Sequence, residues 1–399
     1  MTRVAVVPPV PMPYREPLFA ALSRVDGIDL RVVYQARRQP GWDAPGEWFP
    51  ERHVYPAEHL RSWQRARPGR TPVVWPRGLE RALSRFGADA VVAWEYGPTS
   101  LRTLAWCRLR RRGYAIFSEL TPEAERSLSD KHRRLQRLVA GRADVCIAAS
   151  SRARDRFLAL GVPPERVFVS VQSADSAPLR AIERPRGDAG TGDGGGAAEG
   201  AGAAGGGAAR SGPGGGAAPV RFVAVGRLVP DKNYERLIDA FAVAGLGPER
   251  ALLEVHGTGP LRAELEARAI RAGVDVRFAG HTDAAALPAA YARADAFVLA
   301  SSYEPFGVVV REAAAAALPI VCSRVAGAAG DVALDGENAL LVDPLDVDAI
   351  AAALRRLADD APLRARLGAR GRELEARVAR DGVAAFAAAA RLAAERAAR

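Results

Sequence analysis

The chain has 399 residues, 49% hydrophobic and 26% charged, a balance that excludes a wholly disordered protein and offers more apolar material than one core normally holds, so two domains are expected. Residues 1–180 carry 30 Lys and Arg against 18 Asp and Glu, and the remainder 26 against 28, so the formal charge of +10 belongs to the first half. Three cysteines, Cys107, Cys146 and Cys322, lie far apart with no CxxC pair and no His at ligand spacing, and read as small core residues in a reducing compartment. With no signal peptide and no run near the roughly 18 apolar residues of a membrane span, a cytosolic protein is expected.

In chain order, β-branched runs at residues 4–7, 30–34, 90–94, 115–117, 145–149 and 167–171 alternate with amphipathic stretches such as 17–24 and 128–140. Arginines concentrate twice among them, at Arg61, Arg65, Arg67 and Arg70 and at Arg108, Arg110, Arg111 and Arg112. Such clusters either attract an anionic partner, a phospholipid surface or a phosphorylated acceptor, or form a solvated arginine-rich surface. No nucleic-acid-binding motif accompanies them, so nucleic acid is not an expected partner.

Residues 185–219 are almost entirely Gly and Ala and offer no packing face, which marks a flexible linker or a loop insertion. The reading that follows divides the chain into 1–184, a linker at 185–219, and 220–399. Beyond the linker, strand-like runs at 220–225, 252–256, 276–279, 296–300 and 319–322 are each followed by a helical pattern, and past Asp346 the Ala, Leu, Arg and Glu content repeats with helical period. Continuous apolar runs denote strands buried on both faces. The expected architecture is therefore α/β, two doubly wound parallel (Rossmann-like) sheets facing across a cleft, with terminal helices and a ligand at the carboxyl ends of the strands.

Three clusters follow strands in the second half. Gly226, Arg227 and Leu228 precede Asp231, Lys232 and Asn233. Lys131 and Lys232 are the only two lysines among 56 basic residues, so Lys232 is read as a compact point charge for phosphate, with Arg227 as a bidentate partner. Ser301 to Gly307 leave the run at 296–300, where Pro305 suits a helix start and the amides of Phe306, Gly307 and Val308 are its orphan donors. Glu304 stands at the mouth of that anion site and Glu312 two turns inside the helix, placed to hold two parts of one elongated ligand. His256, Gly257, Thr258 and Gly259 form a Gly-x-Gly turn that permits close backbone approach but lacks the third glycine of a dinucleotide fingerprint.

These motifs, together with Tyr291, Ala294-Asp295, Arg311-Glu312-Ala313, residues 318–321 and residues 336–344, recur in the order and spacing of glycosyltransferase family 4, which the second half resembles. The resemblance implies a GT-B fold and a retaining transfer from a nucleotide diphosphate sugar, UDP- or GDP-linked, with no cofactor and no metal. It implies that Arg227 and Lys232 bind the diphosphate, that Glu304 contacts the transferred sugar, that Glu312 contacts the ribose, and that Phe306, Gly307 and Val308, with Gly226 and Gly257, shape the donor site. The first half is similar more loosely, through Tyr14 to Phe19, Ser118-Glu119, Ala143-Asp144 and Gly161-Val162, and is expected to take a glycan, lipid-linked or small-molecule acceptor at Arg15 and Glu119. Glu119 either lines that site or caps the next helix, and residues 14–16 are either part of it or an ordinary helix start. The prolines at 8, 9, 11 and 13 stand where many members have paired glycines, and Ser118-Glu119 where many have a histidine. Retention can arise by same-face attack or through a covalent intermediate.

A nucleotide-sugar epimerase of the same architecture and a non-catalytic carbohydrate- or membrane-binding protein are the competing readings. The first calls for more carboxylates and histidines at the cleft, and the second has no need of Arg227, Lys232, Glu304 and Glu312 together. The basic first half further leads to an expected location in the cytoplasm with peripheral contact at the inner, anionic face of the membrane.

Overall fold

The computed structural model describes residues 1–38, 49–50, 52–67, 70–123, 128–184 and 218–398; the Gly/Ala-rich segment expected as a linker thus lies outside the described residues except at its last two positions. Fifteen strands are described: β1 Thr2–Val7, β2 Ile28–Tyr34, β3 Ala57–His59, β4 Ser62–Arg67, β5 Arg70–Pro76, β6 Ala90–Trp94, β7 Gly113–Ser118, β8 Val145–Ala148, β9 Val167–Val169, β10 Val220–Val225, β11 Ala251–His256, β12 Asp275–Gly280, β13 Ala296–Leu299, β14 Ile320–Ser323 and β15 Ala339–Val342. Seven form a sheet in the order β3-β2-β1-β6-β7-β8-β9, and six a second in the order β12-β11-β10-β13-β14-β15. Every pairing within the two sheets is parallel. In both, the order reverses beside the first strand, which opens a crevice at the strands' carboxyl ends.

The sequence dictates this locally. The strands β6, β7, β8, β13 and β14 are buried at every position, as helices on both faces require. By contrast β12 lies at an edge and mixes half-buried with exposed positions. Three elements lie outside the strands expected from the sequence: β3 at an edge of the seven-stranded sheet, the four-residue β15 at an edge of the six-stranded one, and the antiparallel hairpin β4–β5, which belongs to neither sheet. That hairpin carries the first arginine cluster. Trp63 pairs with Trp75 and Arg65 with Val73 across it, while Val74 packs inward toward Val10, Met12, Ala36 and Phe49.

The closing helix, Ala361–Ala398, runs 38 residues and serves both sheets. Leu363 and Leu367 pack in the core of the second sheet, whereas Phe386, Ala387, Ala389, Ala390 and Ala393 pack with Val4, Trp94 and Phe117 of the first. Gly113 makes this possible, because a Cβ there would stand 2.4 Å from the backbone of Ala393. The division at 220 therefore separates the sheets but not their cores: the end of the second segment completes the first.

Between the sheets a buried polar network sits on the same helix. Glu375 is fully buried and accepts from Arg311 Nη2 at 2.7 Å, Arg180 Nη2 at 2.6 Å and Ser176 Oγ at 2.9 Å, and Arg311 Nη1 donates to the carbonyl of Gln172 at 2.6 Å. Asp331 of the second half accepts from the backbone and hydroxyl of Ser151 at 2.7 and 2.6 Å.

Candidate active site

The loops after β10, β11 and β13 converge. Gly226 N–H donates to the carbonyl of His256 at 2.9 Å, and Leu228 N–H to that of Thr258 at 2.8 Å. A Cβ at Gly257 would lie 1.9 Å from the oxygen of Gly226, so this glycine is needed for two loop backbones to touch. His256 is a satisfied rim residue, with its ring nitrogens 2.7 Å from Thr282 Oγ1 and 2.8 Å from Glu254 Oε1. The third loop joins through Asp231, whose carbonyl accepts Ser302 N–H at 2.9 Å, and through Asn233, buried with φ +58, whose amide donates to the carbonyls of Ala300 and Pro344.

This arrangement brings Lys232 and Glu304 into an ion pair, Nζ to Oε2, with both side chains mostly buried. The Arg227 side chain is exposed beside them and has no hydrogen-bond or ion-pair partner among the described residues. Gly307, with φ +91, turns the chain into the helix Val308–Ala315, and the N–H groups of Phe306, Gly307 and Val308 donate to no described residue. Three open donors at a helix start beside a lysine make a site for an oxyanion. Glu312 does not pair with its neighbour Arg311; it accepts from Tyr291 Oη at 2.8 Å. Burial pushes its carboxyl up to about 7, against the opposing pull of the Tyr291 hydrogen bond.

In the first half, Arg15 is 7% exposed and donates to Glu119 Oε1 at 3.0 Å, while its guanidinium stacks over Trp94 at 4.6 Å. Glu119 Oε1 also accepts from Gln172 Nε2 at 3.1 Å, so the carboxylate is held from two sides instead of capping a helix. The adjacent Glu16 turns the other way and accepts from Tyr55 Oη at 2.6 Å, with His53 Nδ1 at 2.8 Å. Of the second arginine cluster, Arg108 pairs with Asp144 at 3.1 Å and Arg112 with Asp89 at 3.0 Å, while Arg61 and Arg65 of the first are exposed.

One residue at this site escaped the sequence reading. Glu95 follows β6 with φ +56, rare for a residue with a side chain, and its carboxylate accepts from Ser118 Oγ at 2.9 Å and from the backbone of Glu119 at 2.6 Å. Burial first, then the charge of Glu119, push it up to about 7. The signal present in the sequence was a carboxylate directly after the apolar run 90–94, at the carboxyl end of a central strand.

The chain is similar to known proteins. A family model described as glycosyl transferases group 1 matches residues 217–374, and one described as Glycosyltransferase Family 4 matches residues 18–170. The chain is 38% identical over 144 residues to the glycogen synthase of Mycobacterium tuberculosis (strain ATCC 25618 / H37Rv), covering 36% of this chain and 34% of that protein. It is 40% identical over 154 residues to the lipopolysaccharide core biosynthesis glycosyltransferase LpsD of Rhizobium meliloti, covering 38% and 43%. With the GDP-mannose-dependent alpha-(1-6)-phosphatidylinositol monomannoside mannosyltransferase of Mycolicibacterium smegmatis it shares 35% over 159 residues, covering 38% and 41%. The matched stretches thus span between a third and under half of each of these relatives. Among solved structures, Anabaena HepE in complex with UDP superposes with a TM-score of 0.67 at 17% identity over 94% of this chain and 95% of that one. The lipopolysaccharide outer core galactosyltransferase WaaB gives 0.65 at 14% identity over 96% and 100%. With each half matched by its own family model and both sheets superposing on proteins of this architecture, the chain belongs to the family 4 glycosyltransferases of GT-B fold.

Proposed function

We propose that the protein moves a sugar from a nucleoside diphosphate sugar to a hydroxyl acceptor with retention at the anomeric carbon. The observation that carries this reading is the meeting of Lys232, Glu304 and the open amides of residues 306–308 at one helix start. An ammonium has three donors, so Lys232 can hold Glu304 and a phosphate oxygen together, with Arg227 free to grip the diphosphate from outside. Charge growing on the leaving diphosphate is stabilised by these cations and by the helix amides. Glu304 accepts hydroxyls of the transferred sugar, and Glu312 those of the ribose. The pairing of Glu304 with Lys232 lowers its nucleophilicity, which favours same-face attack over a covalent intermediate.

The donor class draws support from relatives and neighbours whose names carry GDP-mannose or UDP, and the base is left to experiment. Arg15 and Glu119, held together at the opposite wall, are assigned to the acceptor. No described helix is long and apolar enough to cross a membrane. The exposed hairpin face of Trp63, Val73 and Trp75 beside Arg61 and Arg65 is assigned to peripheral contact with an anionic membrane surface. Incubation with UDP-, GDP-, ADP- and dTDP-sugars, followed by measurement of nucleotide release, tests the reading. Absence of release from every donor would overturn it.

A further inference from the structure

The segment that follows β14 is bonded to the donor loop on one side and to the first half on the other. Gly327 N–H donates to the carbonyl of Glu304 at 3.0 Å, and Ala328 N–H to that of Phe306 at 2.8 Å. A Cβ at Gly327 would lie 2.0 Å from the oxygen of Pro305, so only glycine lets these two backbones touch. Three residues beyond Ala328, Asp331 crosses to the first half. One of its carboxylate oxygens accepts from Ser151 N–H at 2.7 Å and the other from Ser151 Oγ at 2.6 Å. Ser151 opens the helix Ser151–Ala159, whose cap, Ser150, accepts from Ala153 N–H. The Ser151 amide is one of the donors that a helix start leaves without a partner in its own helix, at the end that favours negative charge. A carboxylate from the other half takes it.

The turn that carries Ser151 is itself bonded to the acceptor wall. Ala149 N–H donates to the carbonyl of Ser118 at 3.0 Å, and Gln172 N–H to that of Ala149 at 2.9 Å. Ser118 adjoins Glu119, and the Gln172 side chain donates to Glu119 Oε1 at 3.1 Å. Hydrogen bonds and short stretches of chain therefore lead from Glu304 and Phe306 through Gly327, Ala328, Asp331 and Ser151 to Glu119. The closing helix ties the halves as well, through Ser170 Oγ to the carbonyl of Gly382 at 2.8 Å and Arg372 Nη2 to that of Ile182 at 2.6 Å. The Asp331–Ser151 contact uses neither that helix nor residues 170–184. Domains joined at one place move relative to one another by default, and a second attachment restricts that motion. Burial pushes the Asp331 carboxyl up against the pull of both Ser151 bonds, so the contact is kept although it desolvates a charge.

We propose that Asp331 is a positioning residue for the transfer: by capping the first half's helix it sets the separation of the acceptor wall, at Arg15 and Glu119, from the donor loop at 304–308. The proposal rests on the transferase reading above. In that reading the nucleotide is held by second-half groups alone, Arg227, Lys232, Glu312 and the amides of 306–308, so losing the contact leaves its affinity intact. Transfer needs both walls at once and slows when their geometry loosens.

The test uses the full chain with the nucleotide sugar that the donor panel identifies and glycerol as the probe acceptor. Asp331→Ala removes both bonds. Asp331→Asn keeps both, since its amide oxygen accepts from Ser151 N–H and its amide nitrogen donates to Ser151 Oγ. Asp331→Ala is expected to lower kcat for nucleotide release about tenfold, with the Kd of the nucleoside diphosphate within about twofold of wild type by calorimetry. Asp331→Asn is expected to stay within about threefold of wild type in both. Because Cys107, Cys146 and Cys322 are buried, spin labels on Arg81→Cys and Glu264→Cys, exposed on helices of opposite halves, report the separation of the halves by electron paramagnetic resonance. Asp331→Ala is expected to broaden that distance distribution, and Asp331→Asn to keep the wild-type one. An unchanged distribution in Asp331→Ala, an equal loss of nucleotide affinity and kcat, or an equal loss of kcat in both variants would overturn the proposal and leave the transferase reading standing. A wild-type protein that binds nucleotide but releases none from any sugar donor would instead remove the transferase reading itself.

Discussion

Lys232 and Glu304 form an ion pair with one another, so the cation proposed for the diphosphate and the carboxylate proposed for the sugar are held at one point. Substitution of either separates their roles. Glu304→Gln is expected to lower kcat by about 100-fold or more while leaving the dissociation constant of the nucleoside diphosphate within about twofold, because Lys232 stays charged. Lys232→Met is expected to weaken that nucleotide by about 1–3 kcal/mol, the value of a lost charge-assisted hydrogen bond. Calorimetry beside steady-state turnover distinguishes the two patterns.

Glu312 couples affinity and stability to pH in opposite senses. Its carboxylate must be charged to accept ribose hydroxyls strongly, so nucleotide affinity is expected to rise as pH passes through about 7 and to lose that rise in Glu312→Gln. Folding runs the other way. The folded-state pKa lies above the ordinary 4.5, so this group's contribution to stability is fully present below about pH 4.5 and is lost as pH rises through about 7. Glu312→Gln is accordingly expected to melt about 2 °C or more above wild type at pH 8, with the gap closing by pH 5, in calorimetric scans.

Glu375 is the counter-charge of a buried guanidinium. It is wholly buried against Arg311, itself 2% exposed, and also binds Arg180 and Ser176. Glu375→Gln leaves a buried guanidinium without its counter-charge and is expected to cost about 3–5 kcal/mol in denaturant unfolding. Replacing the exposed Glu373 by Gln serves as the control and is expected to change stability by less than about 0.5 kcal/mol.

The hairpin face should respond to charge and to aromatic truncation together. Vesicles containing anionic phospholipid are expected to retain the protein at low salt and to release it as ionic strength rises, whereas Trp63→Ala with Trp75→Ala weakens retention at every salt. Equal recovery with neutral and anionic vesicles at low salt would remove the membrane assignment.

What the sequence made legible follows from the physics of each element. Strands buried on both faces announce themselves as apolar runs, which is why β6, β8 and β13 were foreseen, whereas β3 and the β4–β5 hairpin, with Glu58, Gln64 and Arg65 in them, carry no such run. Lys232 was singled out by its rarity and Glu304 by its motif, yet their direct pairing depends on two loops 72 residues apart meeting. Glu95 was missed although it directly follows the apolar run 90–94, because its partners are remote in sequence. Its importance arises from Ser118 and Glu119 on the neighbouring parallel strand, and adjacency of β6 and β7 is a property of the sheet alone. Likewise Arg311 beside Glu312 invites a local pair, and only the long closing helix supplies its true partner, Glu375.

That helix also makes the two halves interdependent in a way their separate sheets conceal. A fragment ending at residue 184 would leave bare the groove that Phe386, Ala387, Ala390 and Ala393 occupy, and an apolar strip of this kind promotes aggregation when uncovered. A fragment from residue 218 onward would carry the matching strip on an overhanging helix. Produced alone, each piece lacks a surface that only the other provides; produced together, they are expected to reassemble around that helix.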